Sequence, residues 1–105
     1  MSGSFADLHA AHIRLCILRL LADAPGYFAN DSILHQSVEA HGLVCTRDQM
    51  RGHLTWLEEQ RLLTIQKPNG TSIIMVATLT ERGGDVAAGK SHVPGVQKPS
   101  PGTAV

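Results

Sequence analysis

The chain reads as one small α+β domain, mainly helical with a β-hairpin in its last third. Three observations carry this reading. Two long stretches before residue 45 show apolar residues at helical spacing without an internal proline. A capping-box signature, Thr46-Arg47-Asp48-Gln49, opens a third helix. Two β-rich runs, LLTIQ and SIIMVATL, are joined by Lys67-Pro68-Asn69-Gly70, a run of turn formers.

Taken in order, Ser4 is positioned to cap a first helix from Phe5 to Ala24. On it Ile13, Cys16, Ile17, Leu20 and Leu21 form one apolar strip, and Leu8, Ala11, Leu15 and Leu18 form a second, nearly opposite. Arg14 and Arg19 separate the two. Pro25-Gly26 ends that helix. Asn30 or Asp31 can cap the second helix, which stops at Gly42 with Ile33, Leu34 and Val38 as its apolar face. Leu43-Val44-Cys45 is β-prone and short, an expected edge strand. The third helix, residues 46 to 60, buries Met50, Leu54 and Leu57. After the hairpin, Thr80 caps a short last helix that Gly83 and Gly84 weaken. Residues 89 to 105 hold three of the five prolines and few large apolar groups, so they are expected to form a flexible basic tail outside a domain of residues 5 to 88.

At 43% hydrophobic and 17% charged, the chain is expected to pack a core. Nine basic residues balance nine acidic ones, which excludes the global basic excess of a nonspecific nucleic-acid binder. The balance is uneven along the chain. Residues 1 to 88 carry seven Lys or Arg against nine acids, a difference of −2, and the tail adds Lys90 and Lys98 with no acid, +2. Cys16 and Cys45 form no closely spaced pair, so no disulfide framework and a reducing, intracellular setting are expected. No signal peptide or membrane span is read. Neither a phosphate-cradling G-x-x-x-x-G-K-[ST] loop nor a G-x-S-x-G elbow occurs, and no enzymatic activity is expected.

The stretch HLTWLEEQRLLTI, running into the hairpin and then ATLTERGGDVAAG, resembles bacterial winged helix-turn-helix regulators over residues 8 to 89. More narrowly, LRLLADAPGY, TRDQMRGHLTWLEEQ and VPGVQKPSPG resemble a family of small ArsR-like winged-helix proteins of Mu-like transposable phages and prophages. Arg61 departs from the pattern, standing where many winged helices have Gly. The resemblance implies a phage or prophage transcriptional regulator in the cytoplasm of a bacterial host, with the third helix in the major groove of double-stranded DNA.

On that helix Arg51 is a candidate for guanine and Gln49 for adenine, Thr55 lies on the outward face, and Arg47 can hold a phosphate. Lys67 and Asn69 at the hairpin tip would approach the backbone. Asp48, Glu58 and Glu59 oppose this reading by repelling phosphates. The alternative is an adaptor binding a phage or host protein, with Trp56 either an interface anchor or packed on the second helix. Leu8, Leu15 and Leu18 are the expected homodimer contact, unless the domain itself covers them. His9, His12 and Cys16 share a helix face, with His35, His41, His53 and Cys45 elsewhere. Lacking the closely spaced Cys pair of ArsR-type sensors, the chain is expected to hold no metal or cofactor.

Overall fold

A computed structural model describes residues 4–70 and 73–101. Four helices, α1 (Phe5–Asp23), α2 (Asp31–Ala40), α3 (Arg47–Glu59) and α4 (Glu81–Ala87), surround a sheet of β1 (Phe28–Asn30), β2 (Leu63–Gln66) and β3 (Val76–Leu79). The sheet is antiparallel with order β1-β3-β2. Leu63 pairs with Leu79 and Gln66 with Val76, while Asn30 pairs with Val76 from the other side.

Each helix start has a side-chain cap. Ser4, Asn30, Thr46 and Thr80 accept hydrogen bonds from the amides of Asp7, Ile33, Gln49 and Gly83. At Thr46 the reciprocal bond is also made, since Gln49 Oε1 accepts from the Thr46 amide at 2.9 Å. Three helix ends share one termination. After α2, α3 and α4 the chain passes through a left-handed residue whose amide, together with the next one, bonds back to helix carbonyls. Gly42 and Gly89 fill that position after α2 and α4, but Arg61 fills it after α3, at φ 65°. The departure noted in the sequence is thus a substitution at a position whose conformation suits Gly.

Four expectations need correction. Leu43-Val44-Cys45 is not a strand. The Leu43 amide bonds back to Val38 and His35 Nε2 holds the Cys45 carbonyl at 2.7 Å, so α2 satisfies this segment and the third strand is Phe28–Asn30. The hairpin strands are shorter than expected: β3 starts at Val76, and before it Ile73 and Met75 bond to partners described below; Ser72 lies outside the described residues. Residues 89–101 are not a free tail. Val93 and Val96 belong to the core, and the Gln97 amide bonds to the Ala11 carbonyl at 3.1 Å. We call this segment the C-terminal strap; residues 102–105 lie outside the described ones.

The fourth concerns α1. It touches α2, α3, β3 and α4, so both of its apolar strips are covered within one chain. Leu15 and Leu18 are buried, and of the expected dimer contact only Leu8 remains exposed, beside Phe5. Gly83 also has a role that its helix propensity concealed. A Cβ there would stand 1.9 Å from the Leu62 carbonyl oxygen, so α4 can approach the end of α3 only with Gly at this position.

Candidate functional site

The outward side of α3 and the adjoining β2–β3 loop hold most of the sequence-predicted contact residues. Their organiser is one that sequence reasoning had left as a possible cap. Because Asn30 caps α2, the Asp31 side chain is released to turn inward, where it is 1% exposed. Its Oδ2 accepts from Arg51 Nε at 2.8 Å and from an Arg47 NH2 group at 3.4 Å. Its Oδ1 accepts from the Met75 amide at 3.3 Å, and its own amide donates to the Met75 carbonyl at 2.9 Å. Burial alone would raise the Asp31 carboxyl. The Arg51 and Met75 hydrogen bonds and the two arginine charges outweigh it and hold the group ionised below the usual carboxylate range.

Arg51 also donates to the Ile73 carbonyl. Its fork therefore spans the second and third helices and the hairpin loop, and its side chain is only 25% exposed. Arg47, at the first position of α3, is 49% exposed. The remaining candidates divide by what their polar atoms do. Gln49 is engaged in the capping box, and the Thr55 hydroxyl donates to the Arg51 carbonyl at 3.0 Å. Lys67 and Asn69 are exposed at the turn after β2, Asn69 with φ 60°. Of the acids on this side, Glu58 accepts from the Ile65 amide at 2.9 Å and so fastens α3 to β2, while Asp48 and Glu59 face solvent.

On the α1 side of α3 lies a cleft of about 350 Å³, walled by Gly52, His53 and Trp56 and by Ala10 and Arg14. Arg14 stacks on Trp56, its guanidinium carbon 4.1 Å from the ring centroid. It also donates from Nε to His53 Nδ1 at 3.2 Å and from NH1 to the strap carbonyl of Gly95 at 3.1 Å. Trp56 thus packs against Arg14 and the strap, where packing against α2 had been expected. Burial, then the Arg14 charge, then His9 push His53 down to about 4, so it is neutral and its Nδ1 accepts. Cys16 lies in the core, where burial pushes its thiol up to about 11. Among the described residues no three His, Cys, Asp or Glu side chains come together as a metal-binding group. No described helix is long and apolar enough to cross a membrane.

No family profile matches the chain, and no solved structure matches it. Two relatives do. An uncharacterized protein of Haemophilus influenzae is 44% identical over 79 residues, covering 75% of this chain and 74% of that protein. Uncharacterized protein gp26 of Escherichia phage Mu is 46% identical over 95 residues, 90% of this chain and 95% of gp26. At that identity, over nearly the whole of both proteins, the chain belongs to the same family as gp26 of phage Mu.

Proposed function

We propose that this chain is a winged helix-turn-helix protein that contacts double-stranded DNA, and that it regulates transcription for a Mu-like phage or prophage inside the bacterial host cell. The observation carrying the reading is the junction at Arg51, which binds the β2–β3 loop to the side of α3. Helix–strand–helix–helix–hairpin order with sheet order β1-β3-β2 suits a winged helix, in which α3 enters the major groove and the loop lies on the flanking backbone.

The arginine roles change with the geometry. Arg51 is committed to Asp31 and Ile73, so base reading by Arg51 is set aside in favour of phosphate contacts from Arg47 and Lys67, with Asn69 beside them. With so few cations, binding is weak, and log–log salt titration against duplex DNA should give a slope of about 2 to 4. Arg47→Ala and Lys67→Ala should each lower that slope by about 1 on specific and random sequences alike. Any pairing of copies through α1 would use Phe5 and Leu8, the exposed residues of its first turns.

The adaptor reading is favoured by one observation: with Asp31 neutralising part of the arginine charge, exposed Asp48 and Glu59 leave α3 with an acidic outward face. A wild-type protein that binds no duplex at low salt would replace the DNA reading with this one.

A further inference from the structure

Asp31 joins three separate parts of the chain, two of them through its carboxylate. It lies at the start of α2, takes two arginines from α3, and holds Met75 by side chain and main chain together. Met75 is where the chain enters β3, so its amide and carbonyl are spent on Asp31. Two residues earlier the Ile73 carbonyl is spent on Arg51. The end of the β2–β3 loop is therefore held by a buried charged group and its arginine fork, and the strand ladder begins only at Val76. Of the side chains in this held segment, Ile73 and Ile74 are 73% and 42% exposed, and Met75, at the entry to β3, is buried. Apolar burial reaches the segment at Met75 alone among these three, and the polar clamp holds the backbone on either side of Ile74.

We propose that Asp31 is a positioning residue: with Arg51 it sets the end of the β2–β3 loop, residues 73–75, against α3, so that the helix and this segment meet a DNA duplex as one prearranged surface. The proposal rests on the DNA reading for its partner, but the ordering of the loop can be read without DNA. Two physical effects here have opposite signs. Removing the Asp31 charge adds one positive charge per protein, which on field strength alone tightens binding to a polyanion. Removing the clamp lets the loop move, so that binding must pay to order it again and weakens.

Asp31→Asn separates the two effects. An amide has a single acceptor oxygen, so it cannot serve Met75 and Arg51 as the carboxylate does, and its NH2 opposes the guanidinium donors. Hydrogen exchange of the Met75 amide and its loop neighbours in full-length D31N should accelerate about tenfold or more, with the Leu54 and Leu57 amides in mid-α3 unchanged. Affinity for a random-sequence duplex should fall about three- to tenfold despite the added positive charge. Arg51→Lys keeps the charge but loses the fork and should act the same way. The double variant should lose no more than either single one, because both residues act through one clamp. If D31N does not fold, R51K carries both readouts.

Unchanged loop exchange in the folded variants, or affinity that rises or stays level, overturns the positioning role while leaving the DNA reading intact. A wild type without duplex binding overturns the DNA reading and the duplex part of this proposal together, and the exchange result still decides whether Asp31 sets the loop.

Discussion

The C-terminal strap and the β2–β3 loop share Pro, Gly and Lys in their sequences, although the loop ends in the apolar start of the run SIIMVATL. Their structures differ. The strap places Val93 and Val96 in the core and lays Gly95 against the stacked Trp56 and Arg14, whereas the loop turns Ile73 and Ile74 toward solvent and is fastened through backbone groups of Ile73 and Met75. Two valines three residues apart, each followed by a chain group that finds a partner, suffice to seat an irregular segment. Two isoleucines in a loop do not, where a buried carboxylate has already fixed its path. Composition thus reports whether a segment can be regular, but not whether it is packed.

The largest effect should come from attacking the strap. Val93→Asp with Val96→Asp removes two buried side chains and asks two carboxylates to enter the core. Unfolding free energy should fall by about 3 kcal/mol or more, measured by urea denaturation. If the double variant unfolds like wild type, the strap is dispensable and the domain ends near Ala88 as composition alone suggests.

Legibility in the sequence followed the range of the interactions. The four helices, their caps and the hairpin were readable because each rests on contacts within a few residues, the capping box at Thr46 and Gln49 being the clearest. The Mu-like relation was readable from extended similarity. What was not readable depends on partners far along the chain. Leu15 and Leu18 resemble a surface strip until the rest of the domain packs around α1, and Gly83 resembles a helix defect until Leu62 is placed against it. Arg51 resembles a base-reading residue until Asp31, twenty residues earlier, is found beside it. A signal for Asp31 did exist: Asn30-Asp31 offers two caps to a helix that needs one, leaving a carboxylate to be explained.

The next test compares two glycines. Gly95 in the strap and Gly70 in the loop both have positive φ, 96° and 69°. Ala at either site incurs a backbone cost of about 1 to 2 kcal/mol. A Cβ at Gly70 meets nothing within 4 Å, but at Gly95 it would stand 2.8 Å from the Trp56 ring. Gly95→Ala should therefore be the more destabilising by about 1 to 3 kcal/mol, with a change in Trp56 fluorescence. Equal losses would mean the strap does not press on the indole.

Acid should loosen the strap before it affects the loop. His53 accepts from Arg14, and Arg14 holds Gly95. With a folded value of about 4 against an ordinary value near 6.5, the unfolded chain binds the extra proton. The stabilisation from neutral His53 is then complete above pH ~6.5 and is lost as pH falls toward 4. Asp31 has the same sign but acts lower, its contribution being lost only as pH drops through its depressed value. Melting temperatures between pH 7 and 4.5 should decline more steeply for wild type than for His53→Gln, and exchange in the strap should rise before exchange at Met75. Parallel pH profiles for the two proteins would remove His53 from the strap's support.

The smallest effect is expected from the loop side chains. Ile73 and Ile74 are large apolar residues, and in a strand buried on one face their loss would cost several kcal/mol. Here most of Ile73 and much of Ile74 already lie in water. The bond that holds the segment uses the Ile73 carbonyl, which any side chain leaves in place. Ile73→Ser with Ile74→Ser should accordingly change stability by no more than about 0.5 kcal/mol, as for surface substitutions generally. Exchange at Met75 should stay slow, since Asp31 and its arginines are untouched. If the serines cost as much as the strap aspartates, the isoleucines pack against something, and the division between a segment seated by side chains and one seated by its backbone would have to be redrawn.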